Sequence, residues 1–202
     1  MKRLLFRGET VNSRNIDDAV RILRDGGVVI YPTDTVYALG CDALNNRAIE
    51  RLCRLKGINL DKQLLSVVCA SISQAAEYAR IDNRAFRLMK DNLPGPFTFI
   101  LPSASSLPKV FKGRKSVGVR VPDNAIALAL AESLGNPVMT TSVSVENDDD
   151  IISPDALELA YRHDADLLID AGEGGSVVST IIDCLDSSAP EILRQGLGDI
   201  DL

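Results

Sequence analysis

Metal and disulfide chemistry have little to work with in this chain. Its 202 residues include one histidine, His163, and four cysteines at positions 41, 53, 69 and 184, none of them in a C-x-x-C pair. These spacings make neither a zinc site nor a disulfide framework, so the cysteines read as buried reduced thiols and no metal ligand set is expected. Long apolar runs are missing too, since none approaches the roughly 20 residues that span a membrane. The opening segment, Met1 to Arg7, meets charge too soon for a signal peptide, so the expectation is a cytoplasmic protein with no membrane partner. Positive charge is in deficit, with 22 Lys and Arg against 28 Asp and Glu, or 22 − 28 = −6. That excludes a generally basic nucleic-acid binder and confines any RNA contact to a local patch. Also absent are G-x-x-x-x-G-K-S/T, G-x-G-x-x-G, G-x-S-x-G and H-E-x-x-H, which disfavours P-loop kinases, Rossmann dehydrogenases, α/β-hydrolases and zincins.

What is present is an ordinary globular mix, 46% apolar and 25% charged, which rules out disorder as the main state. Helical periodicity is expected near residues 15–25, where Ile16, Ala19, Val20 and Leu23 share a stripe, and near 47–56, closed by Gly57. Further helices are expected at 72–79, 83–91, 124–134 and from the Ser153-Pro154 start to about 162; the one at 124–134 is apolar nearly all round, which predicts deep burial. Strands are expected at 28–31, 64–69, 97–101, 117–121, 137–141, 166–170, 179–184 and 191–194. Strands alternating with helices indicate an α/β fold in a single domain. The strands clustered at 97–121 and 179–194 have little helix between them, so some pairs are expected to be antiparallel.

Ligands in open α/β sheets bind outside the carboxyl ends of strands. Three such ends are unusually polar here: Thr33-Asp34-Thr35, Arg120-Val121-Pro122, and Thr140 through Ser144. Lys56 ends the apolar stripe of its helix, and two roles are open to it: completing the helix dipole, or binding a phosphate. Lys109, Lys112, Arg114 and Lys115 are either a solvated loop or an RNA-phosphate patch. His163 reads as a capping or surface residue with nothing to orient it as a base.

Six segments, in order and spacing, resemble the YrdC/YciO family: Gly27 through Cys41 (GVVIYPTDTVYALGC), Leu93 through Phe99, Val119 through Pro122, Thr140-Thr141-Ser142, Ser179 through Asp183, and Leu193 through Gly196. The stretch around Ala85–Lys90 and the ending Gly196–Asp199 look most like the YciO branch. The resemblance implies an open, twisted, mixed parallel and antiparallel sheet with flanking helices and a large concave cavity suited to nucleotide or double-stranded RNA. Catalytic members are threonylcarbamoyl-AMP synthases, which join L-threonine, bicarbonate and MgATP and release pyrophosphate, for threonylcarbamoyladenosine in tRNA. No tightly bound cofactor is implied.

Carried over by position, Thr33, Thr35, Arg120 and Thr141 would meet the substrate, with Arg120 forking onto its carboxylate. Lys56, Ser142, Ser144, Ser179 and Arg194 would hold the nucleotide, and Lys56, Ser142 and Arg120 would carry the chemistry. Three departures stand out. The synthase K-x-R reads Lys56-Gly57-Ile58, its S-x-N reads Ser142-Val143-Ser144, and the usual Pro-Leu reads Gln63-Leu64. Losing a phosphate-contacting arginine removes about 1.5–3 kcal/mol, so a weakened synthase is the first expectation, with Lys62 as a stand-in cation. A non-catalytic paralogue that binds double-stranded RNA or tRNA is the alternative.

Overall fold

A computed structural model describes residues 1–6, 11–59, 63–107, 115–144 and 153–202. In chain order the elements are β1 (Lys2–Leu5), α1 (Ser13–Arg24), β2 (Val29–Tyr31), β3 (Ala38–Asp42), α2 (Asn46–Lys56), β4 (Ser66–Val68), α3 (Ile72–Tyr78), α4 (Asn83–Asn92), β5 (Phe97–Pro102), β6 (Ser116–Arg120), α5 (Ala125–Leu134), β7 (Val138–Ser142), α6 (Pro154–Tyr161), β8 (Leu167–Asp170), β9 (Thr180–Asp183) and β10 (Glu191–Arg194). Helix starts follow local capping chemistry. The side chains of Asn12, Asn45, Ser71, Asp82, Asn124 and Ser153 each accept a hydrogen bond from a first-turn backbone N–H. Gly57 closes α2 in the left-handed region at φ 63°, where a side chain would be strained.

All ten strands join one sheet in the order β1-β8-β2-β3-β7-β4-β6-β5-β9-β10. The sheet is mixed. Pairs β1–β8, β2–β8, β4–β6 and β5–β9 are parallel, while β2–β3, β3–β7, β4–β7, β5–β6 and β9–β10 are antiparallel. The expected antiparallel pairing around residues 97–121 and 179–194 is therefore present.

Two strands go beyond the sequence reading. β3 was hidden in the loop after β2, and β1 in the charged opening segment. Arg3 ties β1 down: its guanidinium bonds Asp155 at 2.6 Å, Glu158 at 2.7 Å and Asp170 at 2.7 Å, linking it to α6 and β8. A third difference concerns α5. It buries Ala127, Leu130, Ala131 and Leu134 and leaves Ala125 exposed, so burial runs along one stripe rather than all round.

The helices divide unequally between the two faces of the sheet. One core cluster takes side chains from α2, α3, α4 and α6, among them Leu52, Tyr78, Met89 and Leu157. The other takes side chains from α1 and α5, with Leu23, Tyr31 and Leu130. Phe97, Phe99, Val117, Val119, Met139 and Ile182 all point into the four-helix face. Strand side chains alternate, so Thr98, Gly118, Arg120, Thr140 and Ile181 point to the two-helix face. Two helices leave part of that face uncovered, and the polar alternates Thr98, Arg120 and Thr140, from three strands, lie there.

Candidate functional site: a cationic cleft on the uncovered sheet face

The cleft holds about 200 Å³ and is lined by Ile58, Leu64, Leu65, Ser66, Thr98, Arg120, Met139, Thr140, Thr141, Ser142, Ser179, Ile181 and Arg194. Its floor needs a residue without a side chain. A Cβ on Gly118 would fall 2.5 Å from Ser66 Oγ and 3.2 Å from Thr98 Cγ2, so glycine lets those two hydroxyl residues converge.

Arg120 is the central charge. It is the last residue of β6, and its carbonyl accepts from Cys69 N at 2.8 Å, fixing its backbone between β4 and β5. The residue is 6% exposed. Its Nη2 donates to Asp34 Oδ1 at 3.0 Å and to Thr35 Oγ1 at 3.0 Å. Asp34 Oδ2 in turn accepts from Asp123 N at 3.0 Å, so the acid is held on both oxygens. The Nε of Arg120 is buried with no hydrogen-bond partner. An unsatisfied buried donor on a cation costs more than an ordinary lost hydrogen bond, and an anionic ligand would satisfy it.

Arg194 provides a second guanidinium from β10. Its Nε and Nη2 donate to the Ser179 carbonyl at 3.1 and 2.8 Å, and Nη2 reaches Ser179 Oγ at 3.3 Å. Burial, and then the charge of Arg120, lower its affinity for its proton below the ordinary arginine value. Ser179 Oγ also shares a hydrogen bond with Thr98 Oγ1 at 2.9 Å, and Tyr31 donates to Thr140 Oγ1 at 2.9 Å. Two arginines and a set of hydroxyls therefore face one space, with Asp34 as the acid paired to Arg120. That arrangement favours a bound anion.

The residues singled out from sequence fall into three places. Arg120, Thr141, Ser142, Ser179 and Arg194 line the cleft. Thr33 and Thr35 line an adjoining pocket of about 340 Å³ with Asp34, Tyr37 and the loop Glu173–Val177. Thr35 still reaches the cleft through its bond to Arg120. Lys56 and Ser144 meet each other, Nζ donating to Oγ at 2.6 Å, outside the residues that line the cleft. Of the four cations considered for RNA, Lys109, Lys112 and Arg114 lie outside the described residues, as does Lys62; Lys115 is exposed just before β6. His163 is exposed just beyond α6.

Sequence reasoning gave no role to Asp34, Thr98, Ser66 or Tyr161. Thr98 had a signal, as the one polar residue within the strand Phe97–Leu101. Tyr161 had none. Among the described residues, no three His, Cys, Asp or Glu side chains are grouped so as to hold a metal ion. No described helix is long and apolar enough to cross a membrane.

A mixed open sheet with its cleft on the less covered face, lined by Arg120, Arg194 and Ser142, defines a class of open α/β protein with a cationic cleft. The chain belongs to the Sua5/YciO/YrdC family, whose model, described as telomere recombination, matches residues 21–196. It is 40% identical to the uncharacterized protein YciO of Escherichia coli K12 over 190 residues, 93% of this chain and 91% of that one. The crystal structure of E. coli YciO superposes with a TM-score of 0.90 and covers 98% of both chains. The threonylcarbamoyl-AMP synthase of Coxiella burnetii is 30% identical over 183 residues, 90% of this chain and 97% of the synthase. The crystal structure of Pyrococcus abyssi Sua5 complexed with L-threonine matches at TM-score 0.85 and 33% identity, with this chain spanning 57% of that longer one.

Proposed function

We propose that the cleft binds a carboxylate-bearing small molecule together with a nucleotide, as an attenuated threonylcarbamoyl-AMP synthase. The observation that carries this reading is the buried guanidinium of Arg120, its Nε unpartnered, aimed with Arg194 into a hydroxyl-lined space. In this reading the carboxylate of L-threonine takes the free donor edge of Arg120, with Thr35 beside it. The substrate amine captures carbon dioxide as a carbamate, and a carbamate oxygen attacks the α-phosphate of ATP and releases pyrophosphate. Such a reaction needs positioning and positive charge around the phosphates more than covalent help from the protein. Lys56, Ser142, Ser144, Ser179 and Arg194 are the groups assigned to that side.

Ile58 supplies the attenuation. It lines the cleft at the position where the synthase pattern has arginine, so an apolar wall stands where a phosphate contact would be. The deciding experiment is pyrophosphate release from MgATP, with and without L-threonine and bicarbonate. Release that requires both, and that is lost in Arg120→Ala and Lys56→Ala, supports the reading. No release at micromolar protein overturns it.

A further inference from the structure

Tyr161 closes α6 and is 6% exposed, with its ring in the four-helix core. Its hydroxyl leaves that core and grips one residue of the turn after β7 on both sides. The Tyr161 oxygen accepts from Ser144 N at 2.8 Å and donates to Ser144 O at 2.6 Å. Ser144 Oγ lies 3.4 Å from the same oxygen and accepts from Lys56 Nζ at 2.6 Å. Val143, between Ser142 and Ser144, is itself buried and donates to the Tyr37 carbonyl at 3.1 Å. The turn is thus pinned at two consecutive residues, and Lys56 is aimed from its second pinned point.

Among the described residues Lys56 makes no ion pair. Among the described residues its ammonium has a neutral hydroxyl as its near partner.

We propose that Tyr161 is a positioning residue. By clasping Ser144 at N–H and C=O, it fixes the Ser144–Lys56 pair as a phosphate-side anchor at the margin of the cleft, two residues from its lining groups Ser142 and Ile58, a role that rests on the nucleotide reading above. Tyr161 touches no ligand itself. Its contribution is pre-organisation: the turn and the ammonium are already placed when the phosphates arrive.

Binding measured by calorimetry on the full chain tests this. Tyr161→Phe keeps the buried ring and removes the clasp. The expected result is a MgATP Kd raised about 5- to 30-fold with the L-threonine Kd unchanged, the scale of one or two net hydrogen bonds. Ser144→Ala should weaken MgATP similarly. The double variant should be no weaker than about the worse single one, because both remove the same device. A merely structural tyrosine would weaken both ligands and would add to Ser144→Ala; either outcome overturns the proposal. An unchanged MgATP Kd in Tyr161→Phe, with weakening in Lys56→Ala, overturns the role of Tyr161 and leaves the nucleotide reading standing. No MgATP binding by the wild type overturns both. Should Tyr161→Phe not fold, the wild type decides: the Ser144 amide resonance must shift on addition of MgATP and not of L-threonine, and absence of that shift overturns the proposal.

Discussion

Arg120 and Asp34 form an ion pair 3.0 Å long in which the side chains are 7% and 8% exposed. The geometry is single-pronged: Nη2 serves Asp34 and Thr35 together, while Nε serves nothing. Asp34 therefore holds the guanidinium in place without using its whole donor edge, as the proposed carboxylate contact requires.

The pair is asymmetric in what its loss would do. Arg120→Leu leaves the Asp34 carboxylate buried beside no cation, and is expected to cost about 3–5 kcal/mol. Asp34→Asn keeps the acceptor for Asp123 N and should cost less, while freeing Arg120 to tilt. Thermal melts with and without L-threonine distinguish them. Arg120→Leu should lose the ligand-induced rise in Tm, and Asp34→Asn should keep part of it.

Ile58→Arg restores the K-x-R pattern on the cleft wall. Adding one charge-assisted contact to phosphate is expected to raise threonine-dependent pyrophosphate release about ten- to a hundredfold. Steady-state release measured at equal protein concentration checks it, and no gain would show that the missing arginine is not what limits the reaction.

Gly118→Ala should fill the floor between Ser66 and Thr98. Overpacking there is expected to cost about 1–3 kcal/mol, and to weaken ligand binding in the cleft more than a distant substitution of equal cost. Paired melts and calorimetry against a surface Ala variant would read both effects.

The four cysteines are all buried. Burial pushes the Cys69 thiol up to about 12 and the Cys184 thiol to about 11, and raises Cys41 further. Since the thiolate is the reactive form, the native protein at pH 8 should react slowly with a thiol-specific disulfide reagent, and all four groups should react at once in denaturant.

Tyr31 gives a pH dependence with a definite sign. Burial, opposed in part by its bond to Thr140, raises it from 10.0 to about 12. A folded value above the unfolded one means the neutral form is favoured in the fold. Its contribution to stability is whole below pH 10 and is lost as pH rises toward 12. Denaturant midpoints should fall across that window, and Tyr31→Phe should flatten the fall at a cost of about 1 kcal/mol at neutral pH.

Much of this architecture could be read from alternation. Phe97-Thr98-Phe99 and Val117-Gly118-Val119-Arg120 announce one apolar face and one polar face, and the polar set is the cleft. β3 escaped because none of its residues, Ala38-Leu39-Gly40-Cys41-Asp42, is β-branched and its centre is a glycine. Gly40 must lack a side chain, since a Cβ there would fall 2.6 Å from Val138 and 2.7 Å from the Tyr31 ring. β1 escaped because an edge strand carrying Lys2 and Arg3 looks like a charged tail until its partners in α6 and β8 are known. Asp34 and Tyr161 depend on contacts 86 and 17 residues away, and neither separation follows a helix or strand period. The separation of Lys56 from the cleft was equally invisible, because it depends on a contact with Ser144, 88 residues away.

The position of Arg194 has a dynamic consequence. It sits on β10, the outermost strand, which hydrogen-bonds to β9 on one side and exposes all four of its residues. Strands held along one side open locally at low free energy, so their amides exchange early with solvent. Whatever anion spans Arg120 and Arg194 would tie this loose margin to the interior strand β6. The sheet's frayed border would then become the reporter of occupancy: deuterium uptake at residues 191–194 should slow when the cleft is filled, while the interior strands, already protected, stay as they were.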